Sequence, residues 1–69
     1  MALVWERDGN AYYATVTYPS GDPRFHLIVE SDGTRWDWNV WPPGDESGAH
    51  HGHADTVQEA MREAEWAAG

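Results

Sequence analysis

Cysteine is absent from the chain, so no disulfide can brace the fold and no thiolate can ligate zinc. Lysine is absent too. The cations are four arginines, set against twelve Asp and Glu, for a formal net charge of -8. A phosphate backbone is repelled by that balance, so direct binding to nucleic acid is not expected. No apolar run approaches the roughly 20 residues of a membrane-spanning helix. Nor does a basic segment followed by an apolar one mark a signal peptide. The expected location is cytoplasmic, with no membrane contact. Motifs of catalysis are missing as well: no phosphate-cradling glycine loop, no HExxH, and no Ser/His/Asp set on rigid elements. A chain of 69 residues also has little room for a substrate cleft. No enzyme and no cofactor are expected.

What is present is aromatic bulk. Five Trp, three Tyr and one Phe stand in for the disulfides or metals that brace many domains of this size. The length predicts one domain over residues 1–69. The lack of Lys beside many Ala, Gly, Trp and Asp points to a high-GC genome.

The pattern along the chain is strands first, then one helix. A first strand is predicted at Leu3–Arg7, turning at Asp8-Gly9-Asn10. Tyr12, Ala14, Val16 and Tyr18 then alternate with Tyr13, Thr15 and Thr17 in a second strand from about Ala11 to Tyr18. Pro19 and Pro23 break the chain before a third strand, Phe25 to Glu30. Ser31-Asp32-Gly33-Thr34 reads as a hairpin turn into a fourth, Arg35 to Trp41. Residues 42–55 are predicted to be a polar connection, with the sheet over about 2–41. Thr56 and Glu59 form a capping box, and Val57, Ala60, Met61, Ala64 and Ala68 make the apolar stripe of a helix over about 56–68. The expected fold is α+β: a three- to four-stranded antiparallel sheet with one C-terminal helix packed on one face. Trp5, Tyr12, Ala14, Val16, Phe25, Leu27, Val29, Trp36, Trp38 and Val40 share the parity that faces the helix.

The spacing Trp5…Gly9…Tyr12-x-Ala14-x-Val16, Phe25-x-Leu27-x-Val29, Asp32-Gly33, Trp36-x-Trp38-x-Val40 and Thr56-x-x-Glu59-Ala60…Ala64-Glu65 spans nearly the whole chain. It resembles the short orphan proteins of actinobacteria and their phages, which implies a bacterial cytoplasm, or a host's if the chain is phage-encoded. In topology the pattern is also similar to the AP2-like and integrase arm-binding domains. Their resemblance implies an open sheet face laid in a DNA groove through Arg, Lys and Trp. Here that face carries Tyr13, Thr15, Thr17, His26, Ile28, Glu30, Arg35, Asp37, Asn39 and Trp41. Two carboxylates against one Arg oppose phosphate contact, so the DNA-binding role does not transfer.

Three groups remain as candidate sites. His50, His51 and His53 crowd the run before the helix. In an extended segment His51 and His53 point the same way and are the candidate metal ligands. Zinc needs a third ligand, with Asp55 and His26 the only recruits, so no dedicated metal site is expected. Protonating all four His would carry the charge from -8 toward -4 and oppose the helix dipole, but no movement of the chain is expected from it. Trp66 falls about 180° from Val57 on the helical wheel, among Glu59, Arg62 and Glu63. An indole on a charged face suits a binding anchor, and its alternative is a frayed last turn that folds the ring onto the sheet edge. Trp41 and Tyr13, with Ile28, are a second partner-binding candidate, unless the 42–53 segment folds across them. Glu59, Glu63 and Glu65 are read as solvated, and Asp45 and Glu46 as a loop with Ser47.

These features favour a small acidic module that binds an unidentified, preferably basic, protein: a phage-encoded adaptor or an inhibitor of a host protein. The alternatives are a self-associating structural or virion component, and a DNA mimic, whose carboxylates would need more regular spacing than these have. At physiological salt the isolated domain is expected not to retard duplex DNA in a mobility-shift assay. Four Arg on separate elements release too few counterions. A salt-sensitive shift at micromolar protein would reverse that expectation.

Overall fold

The computed structural model describes residues 3–44 and 48–69. Five strands come first: β1 (Glu6–Asp8), β2 (Ala11–Thr17), β3 (Pro23–Ser31), β4 (Trp36–Trp41) and β5 (His50–Ala54). One helix, α1 (Val57–Ala68), follows. The strands form a single sheet in chain order, β1-β2-β3-β4-β5, and every neighbouring pair is antiparallel. The α+β fold with a helix on one face is as the pattern predicts, but the sheet has five strands, not three or four. The added strand lies inside residues 42–55, which the sequence presents as a polar connection. The first strand also starts later than expected, at Glu6 rather than Leu3.

Turn chemistry explains the connections. Gly9 takes φ 65° between β1 and β2, the left-handed region that a side chain would strain. Between β3 and β4, Asp32 Oδ1 accepts from the Thr34 amide, the Thr34 hydroxyl and the Arg35 amide, each at 2.9 Å. Those bonds, the Thr34 amide first and then the Arg35 amide and the Thr34 hydroxyl, lower the Asp32 carboxyl to about 2. Its charge therefore persists at pH values where ordinary carboxylates are neutral. Between β2 and β3 the chain closes through Tyr18 N to Asp22 O at 2.9 Å, beside a register irregularity at Val16/Thr17.

The helix starts where its cap dictates. Thr56 is extended and its Oγ1 accepts from Glu59 N at 3.2 Å. At the other end Gly69 N donates to Trp66 O at 3.1 Å. Ala60, Ala64 and Ala68 are the buried face of α1, which lies over β3, β4 and β5. Small side chains there let the helix approach the sheet closely. Leu27, Val29, Trp38 and Val40 supply the sheet's side of the core, with Ala14 and Ala54. Trp5, Tyr12, Val16, Phe25 and Trp36 pack half-buried around it, so all ten residues assigned to the helix-facing side belong to this cluster.

β5 fits for a steric reason. Trp38 pairs across from Gly52, and a Cβ built on Gly52 would lie 2.6 Å from Cζ2 of the Trp38 ring. The indole occupies the volume a side chain at residue 52 would need. Its Nε1 is buried with no hydrogen-bond partner among the described residues. A buried donor left without a partner costs about 1–3 kcal/mol. Three variants follow in thermal or chemical melts. Gly52→Ala is expected to cost about 1–3 kcal/mol by overpacking, and Trp38→Ala about 3–5 kcal/mol by emptying the core. Trp38→Phe should cost less than Trp38→Ala, because it keeps a ring and removes the unpaired donor. A neutral Gly52→Ala would show that Trp38 does not fill this space.

Candidate functional site

Helical periodicity places the first surface. Trp66 is 78% exposed, the most exposed aromatic of the described chain. It projects from the face of α1 opposite the alanine stripe, and Glu59, Arg62 and Glu63 beside it are exposed as well. The helix runs on to Ala68 beyond it, so the last turn is not frayed and the ring does not fold back onto the sheet.

Alternation and register build the second surface, on the sheet face that α1 leaves uncovered. One cross-strand row runs Glu6, Tyr13, Ile28, Asn39, His51, and the next holds Glu30, Asp37 and His53. A third row holds Thr15, His26 and Trp41. His26 lies against Trp41 with ring centroids 5.8 Å apart, and Thr15 Oγ1 shares a 3.3 Å hydrogen bond with His26 Nδ1. Tyr13 is 42% exposed, while Ile28 and Trp41 are half-buried. The expected cover does not form: the described part of the 42–53 segment joins the edge of β4 as β5 instead of crossing this face. Asp37 pairs with Arg35 at 3.3 Å, and among the described residues Glu6 and Glu30 make no ion pair. A shallow groove of about 260 Å³ opens along Val4, Glu6, Tyr13 and Thr15.

The histidines form the third group. All three lie on β5, the last strand of the sheet. His51 and His53 share the open face and are exposed, and His50 has the opposite parity. Among the described residues no three His, Asp or Glu converge on one point. Neither Asp55 nor His26 completes a set with His51 and His53. Asp45, Glu46 and Ser47 lie outside the described residues.

One carboxylate is misplaced by the sequence pattern. Glu65 is not fully solvated: it is half-buried and its Oε2 accepts from Trp5 Nε1 at 2.9 Å. That bond ties the segment before β1 to the last turns of α1. Glu65 stands only about 80° from Val57 on the wheel, at the flank of the buried stripe, and that position was the signal for it. A smaller cavity of about 150 Å³ adjoins this bond, between Leu3, Val16, Arg24, Glu65 and Ala68. No protein family, characterised protein or solved structure matches this chain.

The helix-face assignment carries a stability test. Trp66 touches little, so Trp66→Ala is expected to change unfolding free energy by no more than about 1 kcal/mol. Trp36→Ala, which removes a ring packed against Tyr12 with centroids 6.1 Å apart, should cost about 3–5 kcal/mol. Equal losses in the two melts would place Trp66 in the core.

Proposed function

We propose that this domain is a protein-binding module, an acidic adaptor or inhibitor that anchors on a partner through Trp66. One observation carries the reading: an indole 78% exposed on an ordered helical turn, in a chain short enough to need its aromatics for the core. Leaving so large an apolar surface in water gives the free chain nothing, whereas burying it against a partner gains several times the energy of a rim contact. Arg62, next to it, is of the residue type that accompanies Trp in such anchors. Glu59 and Glu63 would form the polar rim.

The net charge of -8 selects the partner's sign. A basic protein surface is attracted over distances of a Debye length, which raises the association rate and makes it salt-dependent. The sequence resemblance supports a phage or actinobacterial setting and therefore a bacterial protein as the target. Tyr13 and Trp41 on the open sheet face offer a second contact area on the far side of the molecule, so one domain has surface for two neighbours.

The experiment is capture from a high-GC actinobacterial lysate, followed by titration of the recovered protein against wild type and variants. Trp66→Ala is expected to weaken the complex by about 2 kcal/mol, near 30-fold in Kd. Arg62→Ala should weaken it less. Tyr13→Ala tests whether the sheet face takes part. Undiminished binding by Trp66→Ala would remove the anchor and shift the reading to the open sheet face.

A further inference from the structure

We propose that the outer edge of β5 is half of a zinc site that a second copy of this chain completes, joining two sheets edge to edge through His51 and His53. The inference is independent of the Trp66 reading, because Trp66 leaves the helix on the side of the molecule away from the open sheet face.

The edge is available. β5 ends the sheet, and among the described residues no strand pairs with its outer side. Such an edge is normally guarded against another strand by lysine or proline. The chain has no lysine, and His50–Ala54 contains no proline. In their place stand two exposed imidazoles on one face, with Gly52 between them.

Strand geometry supplies the remaining ligands. When two copies of β5 pair antiparallel about Gly52, His51 of one copy lies opposite His53 of the other, and the reverse. Directly opposed residues have Cβ atoms about 4.5–5.5 Å apart. Residues two apart on one strand are separated by about 6.5–7 Å. The four imidazoles thus surround one point on the open face. Each side chain reaches it with a metal–nitrogen bond of about 2.0–2.1 Å, the length zinc requires. Imidazole nitrogen suits zinc and its transition-metal neighbours and not magnesium or calcium.

One chain cannot make this site alone, since it brings only His51 and His53 to this edge of the face, His26 lies two strands away, and among the described residues no third ligand converges with them. Two bare chains are also kept apart, because each carries a formal charge of -8. A divalent cation at the seam offsets part of that repulsion and supplies the bonds that hold the pair. His50 points to the other face and serves as an internal control.

The test is sedimentation equilibrium of the untagged full chain at micromolar concentration, with zinc chloride added in steps. In EDTA a species of 7.8 kDa is expected. Zinc should double that mass at one metal per two chains, and EDTA should reverse it. Cobalt(II) in place of zinc should give the intense visible bands of a tetrahedral site, and magnesium should do nothing. His51→Ala and His53→Ala should each abolish the dimer at micromolar zinc while melting like wild type. His50→Ala and Trp66→Ala should retain it. The proposal fails if zinc leaves the mass unchanged, or if one zinc binds each monomer. It also fails if the dimer forms in EDTA, or if it survives loss of His51.

Discussion

The packing of the Trp38 indole beneath Gly52 is the contact on which the rest of the architecture depends. The ring stands at the centre of β4, between the helix and the last strand, and shares the core with Ala60, Ala64 and Val40. A ring of that size in one layer demands small residues in the layers around it. α1 meets the demand with alanine at every buried position, and β5 meets it with glycine directly opposite. The indole N–H has no partner among the described residues, so shape and burial hold the ring there. Fold and edge are thus linked: the ring that calls for small residues on α1 is also the reason the last strand has no side chain at the position opposite it.

That link explains which parts of the structure the sequence reveals. β2, β3 and β4 alternate large apolar and polar residues, so their faces can be assigned from parity alone. Thr56, Glu59 and the alanine stripe mark α1 in the same way, and the wheel places Trp66 outside. β5 escapes such reading because its inward positions are His50, Gly52 and Ala54. Only Ala54 is both apolar and buried. The usual strand signal is a side chain that fills the core, and here Trp38 on the neighbouring strand fills it. Glu65 is hidden for a different reason: its hydrogen bond comes from Trp5, sixty residues away in sequence. Local periodicity says where Glu65 points but not that an indole arrives there. The capacity of the histidines is legible only in part, since the shared face of His51 and His53 follows from alternation but their position at the sheet's edge does not.

The surfaces divide by chemistry as well as by position. On the helix side a single indole stands among charges of both signs. On the sheet side a band of Tyr13, Ile28, Trp41 and His26 is bordered by Glu6 and Glu30, while Arg35 occupies Asp37. Neither surface resembles a phosphate-binding face, because the arginines that would be needed are dispersed. Arg24 lies by Tyr18 and Phe25, Arg35 is paired with acids, and Arg7 bonds the Gly9 carbonyl. Arg62 is exposed on the helix face that carries Trp66, away from the other three.

The unbroken strand order has a kinetic consequence. Every strand pairs with its neighbour in sequence, so the chain is low in long-range strand pairing for a β-rich domain. Hairpins of this kind form in microseconds. The exception is α1, which is the last element in chain order and covers β3 as well as the adjoining strands. In chain order the whole sheet precedes its cover. Until α1 docks, Leu27, Val29, Trp38 and Val40 lack the helix that buries them. Fast docking of a short, alanine-faced helix ends the exposure, and a slower one would leave the nascent sheet open to aggregation.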